Sequence, residues 1–204
     1  MKGFQIAAWM ATIAVCAPGS TVASGPFDPD ELVRLADRYC LGPDGDHEWT
    51  WALATHDGFS PLSPDGFSGL RLPAARQLRG FEKTIDGAKV RILTANNRIS
   101  GGGVGRSYFH LCWVSAEPTD RRSVDAALRS FLDVGRIRQE GAFAYLWIPQ
   151  DDGTRGRVSR KSFNLRGHAL AREEGMRMAL TNNVGLMVAV TYMRAVDDCA
   201  DWCY

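Results

Sequence analysis

Residues 81–93 read Phe-Glu-Lys-Thr-Ile-Asp-Gly-Ala-Lys-Val-Arg-Ile-Leu, and this stretch decides the fold. Asp86-Gly87 is a hairpin-turn signal, because both residues tolerate the positive φ that a two-residue turn demands. Phe81 and Ile85 flank the strand before the turn, and Val90, Ile92 and Leu93 continue in the strand after it. Two strands joined so closely run antiparallel, since a parallel pair needs a crossover of a dozen or more residues.

Working outward toward the C-terminus, Tyr108-Phe-His-Leu-Cys-Trp-Val114 reads as another strand after a glycine-rich link. Thr119 or Asp120 then starts the clearest helix, with Val124, Ala127, Leu128, Phe131 and Leu132 on one face and Gly135 as its terminator. Ala142 to Ile148 is a strongly apolar strand, and after the turn at Asp152-Gly153 the pattern predicts a basic strand from Arg157 to Leu165. A short helical turn is expected from His168 to Glu174. A final hairpin, Met176 to Leu180 and Leu186 to Met193, turns at Asn182-Asn183-Val184-Gly185.

Toward the N-terminus, Asp28 caps a helix with Pro29 at its first position and the stripe Leu32, Val33, Leu35, Ala36 and Tyr39, ended by Gly42-Pro43. Asp46 caps a second helix through Trp49, Leu53 and Ala54, stopped at Gly58. Residues 59–80, with Pro61, Pro64 and Pro73, read as loop. Helices first, then hairpins, one helix and more hairpins predict an α+β fold: an antiparallel sheet of about six strands with helices packed on one face.

Residues 1–24 carry the pattern of a cleavable signal peptide. Lys2 is the only charge before Asp28, Phe4 to Ala17 is mostly apolar, Pro18-Gly19 breaks any helix, and Val22-Ala23-Ser24 places small residues at the cleavage point. The apolar run is too short for a membrane anchor, and Val15 is too bulky to precede a lipidated Cys16. Residues 25–204 are then a single globular domain, expected in the periplasm or secreted. The mature chain balances 23 acidic residues against as many basic ones, so net charge gives no reason to expect nucleic acid as a partner. No second apolar stretch is long enough to span a bilayer.

Export leaves four cysteines, Cys40, Cys112, Cys199 and Cys203, and three pairings. Cys40 with Cys112 and Cys199 with Cys203 is the expected pattern. The rival reading, zinc held by Cys199 and Cys203 with His110 or His168, lacks the tighter paired spacing of structural zinc sites. No metal or cofactor is expected.

Few residues suggest chemistry. Gly101-Gly-Gly-Val-Gly105-Arg106-Ser107 matches neither the phosphate loop nor the dinucleotide fingerprint, and it precedes a strand rather than opening a helix. His110 and Cys112 share a strand face, a thiol–imidazole arrangement that competes with the disulfide. His47, His56, Asp44, Asp46, Glu48 and Asp57 surround the second helix and define the region where a small hydrolase would carry its site. No catalytic residue is assigned. Trp113, Trp147 and Trp202 are expected to serve packing. Arg155, Arg157, Arg160, Lys161, Arg166 and Arg172 concentrate positive charge; the first five form a candidate anion-binding patch on an edge strand, where charge also blocks aggregation.

An export signal, a helix ending in a cysteine (Leu35 to Cys40), a helix ending Asp57-Gly58-Phe59 and a strand holding the second cysteine (Phe109 to Trp113) resemble small exported alphaproteobacterial proteins of unknown function. The resemblance implies a periplasmic location and carries no activity across; the Cys199 and Cys203 tail is not part of it. The functional expectation is a non-catalytic binding or envelope-associated domain whose partner is an anionic envelope component or another envelope protein.

Overall fold

Asp86 and Gly87 take φ values of 49° and 80°, so the turn forms as its residues require. The computed structural model describes residues 25–63, 76–100, 106–139, 142–184 and 187–196. The predicted signal segment, the Gly101–Gly105 link, Trp202, and the Cys199 and Cys203 pair lie outside them.

Around that turn, β2 (Arg76–Ile85) and β3 (Ala88–Ser100) pair with Phe81 opposite Ile92. The remaining elements are α1 (Pro29–Ala36), α2 (His47–His56), β1 (Ser60–Pro61), β4 (Arg106–Glu117), α3 (Arg121–Leu132), β5 (Arg136–Gln139), β6 (Ala142–Pro149), β7 (Arg155–Arg157), α4 (Arg160–Arg172), β8 (Arg177–Val184) and β9 (Met187–Val196). They build one nine-stranded antiparallel sheet in the order β1-β2-β3-β4-β9-β8-β6-β5, with β7 also on β6. The α+β antiparallel class is as expected, but nine strands replace about six.

Helices cover both faces rather than one. α1, α2 and α3 pack on the face made by Val90, Ile92, Cys112, Val114, Val190 and Tyr192. α4 lies on the other face, where Phe163, Leu170 and Ala171 meet Leu93, Leu111, Trp113 and Met193. Two-sided burial explains why Met187 to Met193 of β9 is buried at every position instead of alternating. Trp113 and Trp147 are buried, each 5% exposed, and serve packing.

The caps act as their chemistry dictates. Asp28 accepts from Asp30 N, Asp46 from Trp49 N and Asp120 from Ser123 N. Val124, Leu128 and Leu132 are the buried stripe of α3, each stabilising the packed helix by about 2 kcal/mol. Asp133, not Gly135, ends α3, in the left-handed conformation at φ 47°. After α1 a single π-helical turn, Asp37–Leu41, buries Tyr39 and Cys40. Cys40 is disulfide-bonded to Cys112 on β4, a link spanning 72 residues. Loop-closure entropy makes such a link worth about 4 kcal/mol.

The basic segment folds differently from its expected strand. Only Arg155–Arg157 is extended; Ser159 then accepts from Ser162 N, and α4 runs from Arg160 to Arg172, absorbing the turn expected at His168. No helix among the described residues is long and apolar enough to cross a membrane.

Candidate functional site

Two charged regions stand out. The first is a groove of about 1000 Å³ between α3 and the β5–β6 edge, with Arg121, Arg122, Arg129, Asp125, Arg136 and Phe143 among its walls. Positions 122, 126 and 129 follow helical spacing, which puts Arg122 and Arg129 on one stripe of α3. Neither has a carboxylate within ion-pair distance among the described residues. Across the groove the Arg136 guanidinium lies 4.1 Å from the Phe143 ring centroid and 3.4 Å from Asp125 Oδ2. Asp125 is otherwise occupied: Tyr145 Oη donates to its Oδ1 at 3.0 Å and Thr181 Oγ1 reaches the same oxygen at 3.2 Å. Burial first, and the Asp125 charge second, raise the Tyr145 phenol above its ordinary range, so it stays a donor.

The residues of the predicted anion-binding patch divide between two elements. Arg155 and Arg157 are on the edge strand β7, and there they cap the end of α3. Arg155 donates to Leu132 O and Arg157 to Asp133 O, each at 3.3 Å, where carbonyls and the negative end of the helix dipole attract cations. Arg160 and Lys161 instead occupy the first turn of α4, and Arg166 is paired with Glu174 at 2.6 Å. Asp133, which pairs with Arg157, also lines the groove, so the β7 arginines adjoin the groove cations.

The second region is the end of the sheet under α2. Asp44, in the left-handed conformation at φ 52°, receives Arg177 through Nε at 2.6 Å and Nη2 at 2.7 Å, and also the Tyr192 hydroxyl. Arg194 approaches at 3.5 Å. Burial alone would raise the Asp44 carboxyl, but the hydrogen bonds from Arg177 and Tyr192 and the two guanidinium charges hold it below its ordinary value. Beside it His47 and His110 stack with centroids 4.8 Å apart. His47 Nε2 faces Leu111 O at 3.1 Å and His110 Nδ1 faces Gly45 O at 3.2 Å. Only an N–H can face a carbonyl, so these contacts fix each ring's tautomer. Burial, then the neighbouring His110, pushes His47 down to about 4; burial also lowers His110.

The residues that sequence grouped around the second helix therefore do not converge. Asp44 and His47 belong to the N-terminal end of α2, while Asp57 at its other end binds Arg38 at 2.7 Å and Tyr39 at 2.6 Å. Those two hydrogen bonds hold Asp57 down at about 2. Asp46 is spent on its cap, and Glu48 is exposed. His56 faces a separate groove of about 820 Å³ walled by Trp51, Thr55, Leu62, Leu78 and Arg79, with no carboxylate or thiol among the described residues that line it. Cys112 is in the disulfide, which removes the thiol–imidazole pair with His110.

Sequence reasoning missed Arg122, Arg129 and Arg136, the long-range partner pair Asp44–Arg177, and a Ser107 Oγ to His168 Nδ1 contact of 3.3 Å. The only available signal for the first was the pair of arginines, Arg121 and Arg122, set directly after a helix cap, where acidic residues are favoured. Ser107 is 1% exposed, unsuited to attack on a substrate from solvent. No group of three or more His, Cys, Asp or Glu among the described residues is arranged to hold a metal ion. No family model matches the chain, and neither a curated protein nor a solved structure matches it.

Proposed function

We propose that this chain is an exported, periplasmic binding domain that docks an anionic envelope component along the α3 groove and the adjoining β7 edge. The observation that carries the reading is the stripe of Arg122 and Arg129, two cations on one helix face without carboxylate partners among the described residues, opposite Arg136. Cations with no carboxylate at ion-pair distance among the described residues, set beside an aromatic wall, suit phosphate or carboxylate groups displayed on a lipid or polysaccharide. Arg121 and Arg122 add to this, since cations in the first turn of a helix cost about 0.3–1 kcal/mol each against its own dipole, and an anionic partner offsets that cost. Export is supported by the leader pattern of residues 1–24 and by the buried Cys40–Cys112 link, which persists in an oxidising compartment.

Sedimentation of the mature protein with phosphatidylglycerol vesicles, and with phosphorylated polysaccharide, tests the reading across a salt series. Association that weakens with salt and falls in Arg122→Ser/Arg129→Ser supports it; association with neither material, at any salt, removes it. The second reading, a small hydrolase near His47–Asp57, keeps one supporting observation, the groove beside His56. Ester hydrolysis that His56→Ala abolishes would favour it.

A further inference from the structure

We propose that the cleft where β4, β9 and the C-terminal end of α4 meet binds a small free oxyanion of the sulfate, phosphate or carboxylate class, taking up a proton on His110 as it does so. The site is separate from the α3 groove and independent of the reading above. The cleft measures about 450 Å³, in the range of small-molecule sites, and His110, Arg172, Glu173, Gly175, Arg177 and Arg194 line it.

Three guanidiniums converge there. Arg177 is held rigidly, its Nε and Nη2 on Asp44 and its Nη1 on Gly175 O. Arg194, its side chain 39% exposed, contacts Asp44 among the described residues at 3.4 Å and 3.5 Å. Arg172 is exposed and has no carboxylate within ion-pair distance among the described residues. Asp44 takes the charge of Arg177 from behind, and Glu173 is the one carboxylate among the described residues that line the cleft itself. A pocket whose walls carry one fixed and two solvent-facing guanidiniums suits an oxyanion.

The proton link follows from the tautomers. His110 Nδ1 is committed to Gly45 O, so Nε2 is the atom that gains the proton. The groups facing the histidine pair are Asp44 and Asp46 from the loop before α2, Arg177 on β8, Tyr192 and Arg194 on β9, Asn96 across β3, and Arg172 and Glu173 at the end of α4. With the cleft empty, burial and the Arg194 charge oppose protonation of His110. A bound anion offsets the Arg194 charge. By linkage, the anion and the proton each raise the other's affinity by the same factor.

The test titrates the imidazole signals of His47 and His110 in the mature protein from about pH 8 to pH 5, where histidines change charge. Sulfate is the probe, because its own charge is constant over that range, with chloride matching the ionic strength. The expected result is a higher His110 midpoint in sulfate, and sulfate binding that tightens about tenfold toward the acid end. Arg194→Gln and Arg172→Gln should each weaken sulfate binding about tenfold, while Arg122→Ser/Arg129→Ser leaves it intact. Sulfate affinity that is independent of pH, or unaffected by both cleft variants, overturns the proposal. So does a His110 midpoint that moves with phosphatidylglycerol vesicles and not with sulfate, which would place a lipid headgroup in the cleft.

Discussion

The α3 groove and the Asp44 cluster both gather arginines, yet they treat them in opposite ways. At Asp44 the charges are matched: one carboxylate takes a bidentate guanidinium whose side chain is only 11% exposed, plus the Tyr192 hydroxyl. In the groove Arg122 and Arg129 reach no carboxylate among the described residues. The difference teaches which charges serve the fold. A partly buried cation must be paired, because leaving it alone in a low-dielectric site costs several kcal/mol. A solvated cation carries no such obligation and is free for a partner. Mutations in the first region should therefore cost stability, and mutations in the second should cost association only.

The comparison breaks most visibly if the loop that carries Asp44 is detached. Cys40 precedes that loop and ties it to β4, so replacing Cys40 and Cys112 by Ser should cost about 4 kcal/mol in urea unfolding. A loss below about 1 kcal/mol would mean that the loop is held without the link.

Acid comes next. His47 is depressed from its ordinary 6.5 to about 4 in the folded chain, so the unfolded chain takes the proton first as pH falls. Its contribution is whole above the unfolded value, declines between about 6.5 and 4, and levels off below; in full it is about 3 kcal/mol. Unfolding free energies at stepped pH should show this slope in the native protein and lose it in His47→Gln. A parallel slope in both would exclude His47 as its source.

Asp44→Ala sharpens the contrast from the side of the pair. It leaves Arg177 and Tyr192 without their acceptor, and because the carboxylate is 42% exposed the expected cost is about 2 kcal/mol, short of a fully buried pair. The smallest stability effect belongs to the groove. Arg122→Ser/Arg129→Ser should move the unfolding midpoint by no more than about 0.5 kcal/mol equivalent.

The parts of the fold that were legible in sequence are those encoded locally. Asp86-Gly87 fixed a hairpin, Asp28, Asp46 and Asp120 fixed helix starts, and Val124, Leu128 and Leu132 fixed the face of α3. What misled was local ambiguity. Arg157 to Leu165 alternates well enough to suggest a strand, and Gly167 on the buried face of α4 interrupts the apolar stripe of Phe163 and Leu170 that marks a helix. β5 offers only Ile137 as a buried apolar residue in four, too little to announce a strand. The near-continuous apolar run of β9 marks burial on two faces, a sign that the expectation of helices on one face passed over.

The charged regions were less legible, because pairing across the fold has no sequence signature. Asp44 and Arg177 are 133 residues apart. A run of arginines at 155–166 looks like a single patch in one dimension, whereas the fold spends Arg155 and Arg157 on the carbonyls of α3 and pairs Arg166 with Glu174. The arginines left without a carboxylate on the groove stripe, Arg122 and Arg129, come from another helix altogether.

The most direct test of the account is the salt dependence of binding to phosphatidylglycerol vesicles for the mature protein and for Arg122→Ser/Arg129→Ser, measured side by side. At about 1 kcal/mol for each cation near an anionic surface, the variant should bind roughly thirtyfold more weakly at low salt, with an unchanged fold and a shallower salt response. Equal binding by the two proteins at every salt concentration would contradict the claim that the groove arginines face an anionic partner.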